Sequence, residues 1–136
     1  MTELKPDPLL SLRDVTVRFP SVHGAIAAVR GVDLDISPGE VVGLVGESGS
    51  GKSALARGLL GLNHPPFSGH RAEIGGSAVL HGQGDPVELI GAATDQRRKV
   101  RATDIAMIFQ DALSALNPVI RVGRQVAEAL RAAEPD

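Results

Sequence analysis

Hydrophobic positions along this chain follow two kinds of pattern, and the switches between them divide it into elements. Over 9–19, Val15, Val17 and Phe19 alternate with polar neighbours, the period of a strand with one buried face. Val32, Leu34 and Ile36 repeat the alternation with Asp33 and Asp35 between them, so a second strand with one wet face is expected. Residues 20–24 read as the loop joining the two, and Ser37-Pro38-Gly39-Glu40 turns the chain after the second. Val41-Val42-Gly43-Leu44-Val45 and Ile105-Ala106-Met107-Ile108-Phe109 are different. Each is a continuous apolar run, the mark of a strand buried on both faces in a parallel sheet. Ala54 to Leu60 reads as a helix despite Gly58, with Asn63-His64-Pro65-Pro66 as its stop. Ser77-Ala78-Val79-Leu80 is a short strand that 86–89 can join as a hairpin. A polar helix is expected over 95–101, and Val119, Val122, Val126 and Leu130 recur at helical spacing towards the end. Residues 1–8, with two prolines, read as a disordered tail.

The chemistry is concentrated between the first apolar run and the first helix. Gly46-Glu47-Ser48-Gly49-Ser50-Gly51-Lys52-Ser53 fits G-x-x-x-x-G-K-[ST], the phosphate-binding loop, in the strand–loop–helix context its mechanics require. Glycines at 46, 49 and 51 let the backbone fold tightly and turn N–H groups inward around a phosphate. The helix start adds its positive dipole end and unpaired N–H groups. Lys52 has the reach to bind terminal phosphates, and the Ser53 hydroxyl is suited to Mg²⁺. A nucleotide and Mg²⁺ are what this loop predicts.

Composition narrows the rest. The chain has 136 residues, one domain at most on ordinary size statistics, and its 2% aromatic content leaves a core of Val, Leu, Ala and Ile. Net charge is −2, so no global field favours nucleic acid or anionic lipid. Cysteine is absent, which excludes disulfides and thiolate metal sites. The four histidines, at 23, 64, 70 and 81, have no partners at metal-ligand spacing. Arg97, Arg98, Lys99 and Arg101 form one basic cluster, read as a solvated helix face rather than a nucleic-acid patch. The start lacks the basic-then-apolar order of a secretory signal, and no run has the length to span a bilayer, so a cytoplasmic protein is expected.

In combination these residues resemble the ATPase subunit of ABC transporters. The lead-in Val29-Arg30-Gly31-Val32-Asp33-Leu34-Asp35-Ile36-Ser37-Pro38-Gly39-Glu40, the phosphate loop, and the second apolar run ending Gln110-Asp111 carry the resemblance. Ala115-Leu116-Asn117-Pro118, and Gln96-Arg97-Arg98-Lys99-Val100-Arg101 before the second run, are similar to the branch serving oligopeptide and dipeptide importers. The resemblance implies an α/β P-loop NTPase fold of the ABC ATPase type, partial here, with an antiparallel β portion near the N-terminus. It implies that residues 46–53 hold ATP, with Lys52 and Gln110 catalytic and Ser53 and Gln110 towards Mg²⁺. For Gln110 the other reading is a polar residue at the end of a core strand. Phe19 stands roughly where the family stacks an aromatic on adenine, often a Tyr; packing at a strand end is the alternative.

Its implied partners are transmembrane permease subunits, a second ATP-binding subunit and, indirectly, a solute-binding protein. Its implied place is the inner face of the cell membrane. Three family parts are missing from these residues: a Leu-Ser-Gly-Gly-Gln signature loop, an acidic strand ending Asp-Glu, and a switch histidine. The chain is therefore expected to be the N-terminal part of such a domain over 9–136, incomplete and without ATP turnover by itself. A non-hydrolysing nucleotide-binding remnant and a P-loop NTPase of another class, such as a small kinase or GTPase, are the alternatives.

Overall fold

The computed structural model describes residues 7–63, 71–82, 84–111 and 116–133. The chain divides into two compact units, Met1–Ala92 and Ala93–Asp136.

The first unit is built on a four-stranded antiparallel sheet. Strand β1 spans Leu10–Phe19, β2 Ile26–Ile36, β3 Glu73–Leu80 and β4 Val87–Glu88, in the spatial order β2-β1-β3-β4. Helix α1, Lys52–Leu59, packs against β1 and β2. The central strand supplies the core: Leu12, Val15 and Val17 are at most 1% exposed, joined by buried Val29, Leu55, Ala78 and Leu80. Leu12 lies opposite Leu34 on one side and Ala78 on the other.

Simple alternation cannot bury both Leu12 and Val15, which differ in parity. The strand solves this with an irregularity between them, where Asp14 takes a positive φ of 48° and the register slips against both neighbours. An extra residue reverses the pleat, so both side chains reach one face. Asp33 Oδ1 accepts the freed Asp14 N–H at 2.7 Å, and Arg13 pairs with Asp35 at 2.8 Å. That contact raises the Arg13 pKa, chiefly through the hydrogen bond to Asp35. The exposed aspartates of β2 therefore stitch the bulge as well as wetting a face.

Several expectations hold with altered bounds. β3 begins at Glu73, earlier than the run at 77–80, and β4 does pair with it, Val79 opposite Glu88 and Leu80 opposite Val87. α1 ends before the predicted prolines: Gly61, at φ 64°, takes the left-handed conformation, and its N–H donates to the Gly58 carbonyl at 2.9 Å. His64, Pro65 and Pro66 lie outside the described residues, as does most of the expected tail at 1–8.

The two apolar runs are corrections. Neither 41–45 nor 105–109 forms a strand. Val41, Val45 and Ile108 are each 95% exposed. A continuous apolar run becomes a strand only when another backbone pairs with it, and no described segment does so here.

The second unit holds α2, Thr94–Thr103, and α3, Val122–Ala133. Val100 is buried, and Arg98 and Lys99 face solvent. Val119 precedes α3 rather than belonging to it, in a turn where its backbone N–H donates to Asn117 Oδ1 at 3.0 Å. No described helix is long and apolar enough to cross a membrane.

Candidate functional site

The site is assembled where β2, the glycine-rich loop and the start of α1 meet. Gly51 caps α1 at φ 96°, a conformation that a side chain would strain, and no side chain caps the helix start. The Leu55 N–H donates to the Gly51 carbonyl at 2.8 Å, and the Ser50 N–H to the Glu47 carbonyl at 3.1 Å. The loop is thus wound tightly onto the helix, leaving the first N–H groups of α1 as orphan donors. With no acidic residue in the first turn, nothing on the helix competes with an incoming anion.

Lys52 reaches back across the loop. Its ammonium donates to the carbonyls of Gly46 and Glu47, both at 2.7 Å, and to Ser50 Oγ at 3.1 Å. Three protons meet three neutral oxygens, so the charge is solvated by dipoles, with no anionic partner among the described residues. Gly46 keeps this cradle open: a Cβ there would come within 2.7 Å of Ser50 Oγ. A cavity of about 220 Å³ opens beside the loop, lined by Gly49 to Ala54 and by Ala28. A second, of about 180 Å³, is lined by Lys52, Gly46 and the apolar side chains of Val29, Val32, Leu44 and Leu55.

The predicted residues separate by unit. Gly46, Glu47, Ser48, Gly49, Ser50, Gly51, Lys52 and Ser53 form one continuous loop and helix start. Phe19 is half-buried at the end of β1 opposite Ile26, and it lines neither cavity. Gln110 belongs to the second unit, exposed at the bend after 105–109. Among the described residues no group of three His, Asp or Glu could hold a metal ion. Ser53 lines the cavity beside the loop, and Mg²⁺, which takes few protein oxygens and keeps water and phosphates as its other ligands, would ask only a hydroxyl of this chain.

Sequence reasoning missed Ala28. Val17 pairs with Val29 and Arg18 with Ala27, so Ala28 is the unpaired residue of a bulge in β2. Its carbonyl lies so close to Gly51 that a Cβ at 51 would stand 2.2 Å from it. The signal was there in outline: two small residues, Ala27 and Ala28, interrupt a strand otherwise rich in Val, Leu and Ile. Asn63 was also passed over, read only as part of a helix stop.

A glycine-rich loop, a lysine folded over it and an open helix start define a phosphate-binding P-loop fold. A profile of the ABC transporter family matches residues 29–134, and the chain belongs to that family. It is 43% identical over 128 residues to the oligopeptide transport ATP-binding protein OppD of Mycobacterium tuberculosis, covering 94% of this chain and 19% of that protein. To OppD of Escherichia coli it is 38% identical over 130 residues, 96% of this chain and 36% of the relative. OppD of Haemophilus influenzae is 38% identical over 125 residues, with 92% and 36% covered. The chain thus spans about a third of the length of the latter two relatives, and less of the first. Membership of this family sets aside the kinase and GTPase alternatives.

Proposed function

We propose that this chain is the nucleotide-binding segment of an ATP-hydrolysing ABC transporter subunit, one that drives peptide import through partner membrane subunits. Residues 9–136 would form the N-terminal part of its ATP-binding domain. The observation that carries the reading is the Lys52 ammonium, held by the Gly46 and Glu47 carbonyls beside an uncapped helix start. Phosphate oxygens offer that ammonium charged acceptors in place of neutral ones. The N–H groups opening α1 receive phosphate charge, and Ser53 Oγ is the protein oxygen for Mg²⁺. When bound, Mg²⁺ neutralises charge on the phosphates.

Gln110 would serve the attacking water or the metal, and Phe19 the base. Both assignments rest on the family resemblance. The relatives named above are oligopeptide transport ATP-binding proteins, which supports peptide as the cargo class, transmembrane permease subunits as partners and the inner face of the cell membrane as the place of this chain. A second ATP-binding subunit and a solute-binding protein follow from the same resemblance.

Calorimetry with Mg-ATP tests the reading. Lys52→Ala should cost about 2–4 kcal/mol in affinity, and Lys99→Ala, on the exposed face of α2, nothing. Equal binding by wild type and Lys52→Ala would remove the assignment. These 136 residues contain no Asp-Glu strand and no signature loop, so by themselves they should bind ATP without turnover above background. Steady hydrolysis abolished by Lys52→Ala would refute that.

A further inference from the structure

We propose that Asn63 is a positioning residue for the phosphate loop, given that the loop is the nucleotide site. Asn63 is the one polar residue among the buried side chains described, at 8% exposure, and it stands where an apolar residue would serve packing better. Its Nδ2 donates to the Ala54 carbonyl at 2.7 Å, nine residues back and in the first turn of α1. The next amide of that same peptide unit, Leu55 N–H, donates to the Gly51 carbonyl at 2.8 Å. The Gly51 carbonyl shares its peptide unit with the Lys52 N–H, one of the helix-start donors that an anion would meet.

A chain of like-oriented dipoles therefore runs from the buried amide, through Ala54–Leu55, to the phosphate loop. Hydrogen bonds in series polarise one another, so a donor at the buried end strengthens the donor at the open end. The same residue also fixes the direction of the helix. The Asn63 carbonyl accepts from the Ala72 N–H at 3.3 Å, at the entry to β3. Gly58 gives the side chain its room: a Cβ at 58 would lie 3.1 Å from Nδ2. Asn63 thus ties the first turn of α1 to the lead into β3.

The test is ATP affinity of the chain, with and without Mg²⁺, for wild type, Asn63→Leu, Asn63→Asp and Lys52→Ala, each corrected for the folded fraction. Asn63→Leu keeps the pocket apolar and filled but removes the donor; a five- to tenfold loss of ATP affinity is expected. Asn63→Asp is isosteric and sets a carboxylate against a carbonyl at neutral pH, so its loss should be larger. Near pH 5, where a buried carboxyl facing a carbonyl takes up a proton and becomes a donor, Asn63→Asp should recover towards wild type measured at the same pH. A packing role predicts no such recovery.

If both Asn63 variants bind ATP like wild type while Lys52→Ala does not, the positioning role is wrong and the nucleotide site stands. If Lys52→Ala also binds like wild type, both fall. Should Asn63→Leu not fold, the pH recovery of Asn63→Asp decides; should neither fold, the residue is structural and the proposal is overturned.

Discussion

The central strand of the sheet, half of it polar, and the wholly apolar run at 41–45 have opposite fates. In β1, Leu12, Val15 and Val17 lie out of solvent between two antiparallel neighbours. In the run, Val41 and Val45 are almost fully exposed, and no ladder forms. The difference is pairing rather than propensity. β1 meets β2 across the short connection at 20–25, and it pairs antiparallel with β3, which arrives only after the long 37–72 segment that bears α1. A parallel strand needs a crossover partner, and its backbone groups stay with water until one arrives. Hydrophobicity marks a segment for burial; the partner strand delivers it. The run at 105–109, with Ile108 exposed and no ladder of its own, repeats the lesson in the second unit.

Core truncation puts the largest number on this contrast. Leu12→Ala should cost these 136 residues about 2–5 kcal/mol in urea unfolding, since a central side chain leaves a cavity that β1 and its neighbours fill poorly. Val45→Ala and Ile108→Ala should each stay within about 0.5 kcal/mol. Similar losses at all three positions would mean that the runs are packed after all. The junction of helix and sheet comes next. Gly58 is buried, and a Cβ there would stand 3.3 Å from Val17 Cγ2 and 3.6 Å from Ile74 Cδ1. Gly58→Leu should therefore lose about 1–3 kcal/mol, although leucine is the better helix former. A gain in stability would show that α1 is not seated on β1.

Phe19 sharpens the comparison at the edge of the candidate site. It is half-buried against the far end of β2, outside both cavities. If it is a stacking platform, Phe19→Ala weakens ATP and GTP alike by about 1–3 kcal/mol. An unchanged affinity with lowered folding stability assigns the ring to the sheet instead.

How much of this was legible follows the same division. The alternation in β1 and β2, the loop and the 77–80 hairpin were readable because local pattern and local partner agree there. The tight glycine-rich turn into α1 was readable, since Gly49 and Gly51 take positive φ and a Cβ at Gly46 would meet Ser50. The bulges at Asp14 and Ala28 were not, because a register slip is settled between strands and leaves only a parity fault in each sequence. Gly58 looked like a weakness in a helix until the sheet behind it supplied Val17 and Ile74. The runs at 41–45 and 105–109 carry a clear instruction that no described segment satisfies.

The smallest expected effect concerns a place where a side chain stands in for a strand. β4 has only two residues, and beyond its ladder the Leu89 N–H donates to the Ala78 carbonyl at 2.8 Å. The Ala78 N–H, which a longer β4 would have met, donates instead to Glu88 Oε1 at 2.8 Å, and the Ile90 N–H to the same atom at 3.0 Å. Ser77 Oγ donates to Oε2. Burial alone would raise the Glu88 pKa, but these donors outweigh it and hold the carboxyl below its ordinary value of 4.5. A carboxyl with a depressed folded pKa stabilises the fold fully above its unfolded value, and that contribution drains away as pH falls through the folded one. Protection of the Ala78 and Ile90 amides against hydrogen exchange, corrected for intrinsic rates, should hold constant from neutral pH down to about 4.5 and decline below it. Glu88→Gln keeps an acceptor without the charge, so its protection should be lower at neutral pH and flat across the same range. A decline of equal size in Glu88→Gln would place the acid-sensitive group elsewhere, and β4 would then owe its position to its backbone ladder with β3 and the burial of Leu89.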